Sequence, residues 1–323
     1  MASLMLTPIS SQSLEAYSDA LDLAADFAKA SKSSATQRAY RSDAAIFATW
    51  CRVRTLIALP ATPDTIAAFL ADQAASGAQP STLNRRLAAI RYAHRAAGHD
   101  TPTGDERVRA VLAGIRRTVG AAPKRKKAAT SDVVLAMAAP SPNASLRDLR
   151  DRAILLLGFA GAFRRSELVA LDTADLAETP QGLLVTIRRS KTDQDGQGRT
   201  VAIPRGDTAC PVAALAAWRA AAGITAGPLF RRVWNRYRQR VGADQLTPRM
   251  VATIVQSAAT RLGLDAAKFG AHSLRAGFIT SAAKRGANLF KICDTSGHKS
   301  LEMLRTYVRD AELFDNHAGA GLL

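Results

Sequence analysis

The last third of the chain carries His272-Ser273-Leu274-Arg275, then Ser296-Gly297-His298, then Arg305-Thr306-Tyr307. A phenol, two imidazoles and a guanidinium are the groups needed to attack a phosphodiester without a metal ion. Upstream, the run from Gly161 through Arg164, Arg165 and Glu167 to Leu168 supplies a further guanidinium, and Ser190-Lys191-Thr192 places an ammonium in a stretch that reads as a hairpin. Free tyrosine has a pKa of about 10, so near neutral pH only about one phenol in a thousand is ionised, an activation cost of roughly 4 kcal/mol. His272 titrates close to working pH, and we read it as the general base for Tyr307 or as the group that positions the phenol. As a phosphorus centre is attacked, charge builds on its non-bridging oxygens, which planar guanidinium groups can meet with paired hydrogen bonds. Arg164 and Arg275 fit that part, with Arg165 a rival for the first, and His298 adds a third donor. The sequence holds no set of residues with metal-ligand spacing and no phosphate-cradling Gly-x-x-x-x-Gly-Lys-Ser/Thr loop, so neither a metal nor a cofactor is expected.

The bulk composition agrees with a charged partner. Lys and Arg number 44 against 27 Asp and Glu, a formal net charge of +17 that favours a polyanion, with nucleic acid the leading candidate. Hydrophobic residues at 47% and charged residues at 22% are ordinary globular usage, which argues against long disordered stretches. Aromatic residues are only 6%, a poor basis for stacking single-stranded bases, so duplex contact by helices is the better reading. Cys51, Cys210 and Cys293 are widely spaced and form no Cys-x-x-Cys pair, so they read as reduced core residues. Met1 to Gln12 lack the pattern of a signal peptide, and the longest apolar run, Ala153 to Phe163, is too short for a bilayer span, so a cytoplasmic protein with no membrane partner is expected.

At 323 residues, the chain suggests two domains. From about Leu14 to Arg117 the apolar residues recur at helical spacing, with an N-cap at Thr62-Pro63-Asp64, a stop at Gly77, and a new start at Gln79-Pro80-Ser81 for a helix ending near Gly98. Four or five helices would make an all-α domain over residues 1–120. Residues 121–130, with Lys124-Arg125-Lys126-Lys127, read as a basic linker that could run along phosphates. The second domain, 131–323, reads as mostly helical, with strands Leu184–Ile187 and Thr200–Ile203 in a small antiparallel sheet, and helices over 208–222, 247–262, 272–285 and 300–309. The fold class expected is therefore mainly α. Arg85, Arg86, Arg91 and Arg95 lie at helical spacing in the first domain and, with Lys124, Arg125, Lys126 and Lys127, are the candidate DNA contacts.

Taken in order, these motifs resemble the catalytic signature of the tyrosine recombinases, the phage integrase family, and the resemblance covers essentially the whole chain. The family carries a second basic His or Trp nine residues before its nucleophile, which matches His298 and Tyr307. It places its first arginine three residues before an acidic residue, which selects Arg164 over Arg165 and gives Glu167 a supporting part. The resemblance also implies that Lys191 is the general acid for the departing 5′ oxygen; Arg188, Arg189 and Arg199 crowd the same hairpin, where most basic residues are solvated or touch phosphate. It implies a core-binding first domain, a catalytic second domain and no arm-type domain ahead of them. The product would be a 3′-phosphotyrosyl link that needs no nucleotide for resealing. The partners implied are double-stranded DNA with paired sites and a homo-tetramer of the chain on that DNA, exchanging strands in two steps. The segment Ala311 to Leu323, with Leu313, Phe314, Leu322 and Leu323, is more apolar than a free tail needs; the resemblance implies that it packs into an adjacent protomer, and a terminal helix packed on its own protomer is an equal reading. Two other readings of the same residues are a type IB topoisomerase-like relaxing enzyme and a DNA-binding protein whose cleavage chemistry is vestigial.

Overall fold

The computed structural model describes residues 11–120, 125–190, 193, 196–234, 240–298, 300–302, 304 and 307. The chain divides into two compact units, Met1–Lys124 and Arg125–Leu323.

Among the described residues the first unit is all helical: α1 Ser11–Ala30, α2 Ser34–Val53, α3 Pro63–Ala75, α4 Pro80–Ala96 and α5 Glu106–Val119. The starts follow local chemistry. The Thr62 hydroxyl accepts the Thr65 backbone N–H at 3.2 Å, and Pro63 and Pro80 occupy first turns, where a missing N–H costs nothing. Apolar residues three and four apart then build the core, with Phe47 and Trp50 of α2, Ile66, Phe69 and Leu70 of α3, Leu83, Leu87 and Ile90 of α4, and Val108, Leu112 and Ile115 of α5. Each such side chain stabilises the fold by about 1.5–3 kcal/mol through burial. One charge is buried with them: Asp43 on α2 takes two hydrogen bonds from Arg85 on α4, at 2.7 and 3.0 Å.

The second unit is mixed. Its elements are α6 Ser131–Met137, α7 Leu146–Ala160, α8 Arg165–Val169, β1 Leu176–Thr179, β2 Gly182–Ile187, β3 Arg199–Pro204, α9 Pro211–Ala221, β4 Arg231–Trp234, β5 Arg240–Gln245, α10 Pro248–Arg261, α11 Ala271–Lys284 and α12 Leu289–Ser296. The protein is thus mainly α with small antiparallel sheets, as its sequence pattern predicts. The sheet β1-β2-β3 runs from Leu176 opposite Val185 to Ile187 opposite Arg199. Leu183, Val185, Ile187, Val201 and Ile203 turn inward against α7, whose residues Ala153 to Leu157 are all buried. The β4-β5 hairpin, β1 and α12 were not anticipated; Leu176–Thr179 lacks strand alternation, and the polar β4 and β5 carry little apolar signal. Of the helix expected over 300–309, Leu301, Glu302, Leu304 and Tyr307 are described and helical. No helix among the described residues is long and apolar enough to cross a membrane.

Candidate active site

Arg164 is placed by a turn that only a special backbone makes. After α7, Ala162 takes a left-handed conformation (φ +47°), which costs an L-residue roughly 1–2 kcal/mol. The turn aims the Ala162 carbonyl at Arg275, whose Nη1 donates to it at 2.8 Å. Two residues later Arg164 stands at the N-cap of α8, and Glu167, one turn on, folds back over it. The Glu167 carboxylate accepts from the Arg164 backbone N–H at 3.0 Å and from its Nη1 at 2.6 Å. That carboxylate is 1% exposed, so the spacing seen in the sequence is a buried pair and not a surface salt bridge.

A third guanidinium reaches the same carboxylate from the sheet. Arg199, the first residue of β3, sets Nη2 3.5 Å from Glu167 Oε2 and donates through Nη1 to the carbonyls of Asp294 and Thr295, at 3.3 and 2.9 Å. Those carbonyls close α12. Gly297 follows in a left-handed conformation (φ +63°), and a Cβ there would stand 2.9 Å from Arg199 Nε, so both its backbone and its neighbour require glycine. His298 comes next. Ser296 donates to the Ile292 carbonyl at 2.6 Å, and its oxygen lies 2.7 Å from His298 Nδ1. All groups are satisfied when Nδ1 carries the imidazole proton, leaving Nε2 to accept from Arg275 Nη2 at 3.1 Å.

His272 and Arg275 sit three residues apart in the first turn of α11, on one face. His272 Nε2 is 3.0 Å from the Tyr307 hydroxyl. Arg275 is 2% exposed and also donates to the Ser296 carbonyl, so one guanidinium ties the α7–α8 turn to the end of α12. Burial is the main cause that pulls its pKa down to about 10, with the Arg164 charge next. Burial, then the charges of Arg275 and Arg164, pushes His298 down to about 4, and the same causes with Arg125 lower His272. Both imidazoles are therefore neutral at pH 7. The three guanidiniums against one carboxylate leave the cluster with two net positive charges, suited to an attacked phosphate.

The chain that enters the second unit is laid along α11. Lys127 N–H donates to the Lys268 carbonyl at 2.7 Å, Lys126 Nζ donates to the Ala267 carbonyl, and Ala129 N–H donates to the Ser273 carbonyl at 2.9 Å. Ala129 is fully buried, and a Cβ on Gly277 would lie 1.6 Å from its carbonyl oxygen, a crossing that only glycine permits.

The structure thus brings together Arg164, Glu167, His272, Arg275, His298 and Tyr307 of the residues singled out in the sequence. Lys191 and Lys124 lie outside the described residues, as do Ala311 to Leu323. Arg165 is exposed. In the first unit Arg85 is exposed and paired to Asp43, Arg86 is half-buried against Gln73, Arg91 donates to the Thr103 hydroxyl at 2.9 Å, and Arg95 is exposed. Arg125, Lys126 and Lys127 are exposed. Among the described residues no group of His, Cys, Asp and Glu could hold a metal. Arg199 and Ser296 were missed as members of the site; Gly297 after a Ser was the local hint of a helix end, but nothing local points from β3 to α12. Between them lies a cavity of about 400 Å³, lined by Ser190, Arg199, Thr200, Cys293, Gly297 and His298.

Residues 129–313 match the model of the phage integrase family, and residues 27–100 match that of the phage integrase N-terminal SAM-like domain. The chain is 38% identical over 293 residues to an integrase/recombinase xerD homolog of Selenomonas ruminantium, covering 89% of this chain and 85% of that one. It is 25% identical over 294 residues to the recombinase Cre of Escherichia phage P1, covering 85% and 82%. The fold is similar to that of a lambda integrase dimer crystallised on a COC′ core site, with a TM-score of 0.58 at 19% identity over 92% of this chain and 94% of that one. With a family model spanning more than half its length and these relatives, the chain belongs to the phage integrase family, the tyrosine recombinases that cleave and rejoin DNA.

Proposed function

We propose that the protein recombines duplex DNA at specific paired sites through a 3′-phosphotyrosyl intermediate on Tyr307, four copies acting together on two sites. The observation that carries this reading is the Tyr307 hydroxyl, 3.0 Å from a neutral His272 and on the same side as the Arg275 that His298 touches. His272 takes or orients the phenolic proton as the phenolic oxygen bonds to phosphorus. Arg164 and Arg275 donate to the non-bridging oxygens as charge develops there, with Glu167 holding Arg164, and His298 adds a third donor in the tautomer that carries its proton on Nε2 while Ser296 donates to Nδ1. The bond to the 5′ oxygen breaks, and Lys191 supplies the proton that oxygen needs, help worth about 10²- to 10⁴-fold. A free 5′ hydroxyl from a second duplex then attacks the phosphotyrosine, Tyr307 recovers its proton, and the phosphodiester count is unchanged, so no nucleotide is consumed.

The net charge of +17 supports duplex DNA as partner, with the exposed Arg85, Arg91, Arg95, Arg125, Lys126 and Lys127, and with Arg86 and Lys124, as candidate phosphate contacts. The soluble compartment this implies is the cytoplasm.

Half-site duplex DNA from the native locus, incubated with wild type and with Tyr307→Phe and run on a denaturing gel, tests the reading. A covalent adduct formed by wild type alone is expected, together with exchange between two sites. Relaxation of supercoiled DNA without exchange would point to topoisomerase activity, and tight binding without an adduct would leave only a DNA-binding role.

A further inference from the structure

We infer that Arg199 is a positioning residue of the phosphate clamp, acting through Glu167 on Arg164 and through the end of α12 on His298. This rests on the reading of Arg164, Arg275 and His298 as the groups that meet the scissile phosphate.

Three observations point to it. First, Arg164 and Arg199 share one buried carboxylate, Arg164 on Oε1 at 2.6 Å and Arg199 beside Oε2 at 3.5 Å. The positive charge beside Oε2 favours the orientation in which each carboxylate oxygen faces a guanidinium, and this steadies the grip of Glu167 on the Arg164 backbone and guanidinium. Second, Arg199 Nη1 donates to the carbonyls of Asp294 and Thr295, while its guanidinium lies across Gly297. Those residues set the turn that delivers His298, and Arg164 Nη2 bonds the Gly297 carbonyl from the other side at 3.4 Å. Third, the arrangement is expensive for a group with only a scaffolding task. The Arg199 side chain is 22% exposed, its Nε and Nη2 are buried without a hydrogen-bond partner among the described residues, Nη2 having only the 3.5 Å ion-pair contact with Glu167, and burial pulls its pKa down. A buried apolar side chain of similar volume would hold β3 against α12 at lower cost. What it could not do is carry a positive charge into the cluster and orient Glu167.

Arg199 also roots the hairpin loop, since it pairs with Ile187 at the last rung of β2 and β3. The first arginine and the second histidine are therefore tied to the sheet by a single side chain. The lysine of the same hairpin acts on the leaving group, a different atom, so the two effects separate experimentally.

Two measurements test the inference. In the first, Arg199→Met and Arg199→Lys are compared with wild type for single-turnover adduct formation on half-site DNA bearing either the natural scissile phosphate or a neutral methylphosphonate. On natural DNA, Arg199→Met should lose roughly 10- to 100-fold in rate, below the 10²–10³ of a direct oxyanion donor, with unchanged DNA binding. On methylphosphonate, where less charge develops, the loss should shrink to within a few-fold, and Arg199→Lys should be the milder variant on natural DNA. An equal loss on both substrates, as a merely structural defect gives, or no loss at all, would overturn the inference. The second measurement needs no cleavage. Melting temperatures of Glu167→Gln, Arg199→Met and the double variant should be non-additive, because both singles break one shared interaction. Additivity would also overturn it. A wild type that forms no Tyr307-dependent adduct would count against the recombinase reading, and the melting cycle would still decide the tie between Arg199 and Glu167.

Discussion

Replacing Glu167 with glutamine removes the negative charge between two guanidiniums while nearly preserving side-chain shape. The carboxylate is 1% exposed and has Arg164 Nη1 at 2.6 Å, the Arg164 backbone N–H at 3.0 Å and Arg199 Nη2 at 3.5 Å. At about 4 Å and an effective dielectric near 20, one unit-charge pair is worth about 4 kcal/mol, and deleting one member of a buried pair typically costs about 3–5 kcal/mol. The amide oxygen can keep the backbone N–H bond, so we take the lower end, about 3 kcal/mol. For a domain of about 150–250 residues each kcal/mol is worth roughly 2–4 °C, so the melting temperature should fall by about 6–12 °C. Calorimetry of the free protein at pH 7 measures this directly. The variant would hold three uncompensated guanidiniums, so inorganic sulfate should restore more stability to it than to wild type. A fall below about 2 °C, or no selective response to sulfate, would refute the claim that Glu167 is the counter-ion of this cluster.

Three other outcomes follow from the geometry of the site and its surroundings. Because burial and the neighbouring guanidiniums lower His272, the acid limb of single-turnover cleavage should lie below pH 6.5; a limb at or above that value contradicts a neutral His272 held among positive charges. His298, lowered to about 4, resists protonation in the folded state while the unfolded chain takes up a proton near 6.5, so its contribution to stability is complete above about 6.5 and is lost as pH falls toward 4. Urea unfolding midpoints of wild type and His298→Ala across that window check the sign. Gly277→Ala would set a methyl 1.6 Å from the Ala129 carbonyl oxygen, so the segment from Lys126 to Ala129 must lift from α11 and stability should drop by about 1–3 kcal/mol or more; unchanged melting would mean that segment is not docked there.

The parts of the site that could be read from sequence are those whose information is local. His272 and Arg275 share a helical turn, Arg164 and Glu167 span one N-cap, and β2 and β3 alternate cleanly enough to be placed within two residues. What was not legible depends on contacts between distant segments. Arg199 looks like any basic residue beside a polar turn, and its part emerges only because β3 meets a helix end 95 residues later. Ser296 is indistinguishable from a solvated helix terminus until the Ile292 carbonyl and His298 Nδ1 are both seen around its oxygen. The basic run likewise gives no sign that Lys126, Lys127 and Ala129 hydrogen-bond to the chain flanking His272, because those contacts depend on backbone carbonyls and a missing Cβ, neither of which composition records.

Arg275 joins a carbonyl 113 residues before it to another 21 residues after it, and Arg164 reaches a carbonyl 133 residues away. Contacts of such separation close large loops, and the entropy of that closure must be met before they give any return, so they form late in folding. The positive charge, by contrast, is spread along the chain and attracts phosphate in any conformation. A partly folded molecule can therefore cling to DNA while lacking the means to cut it, because the cutting site exists only where those long-range contacts are made.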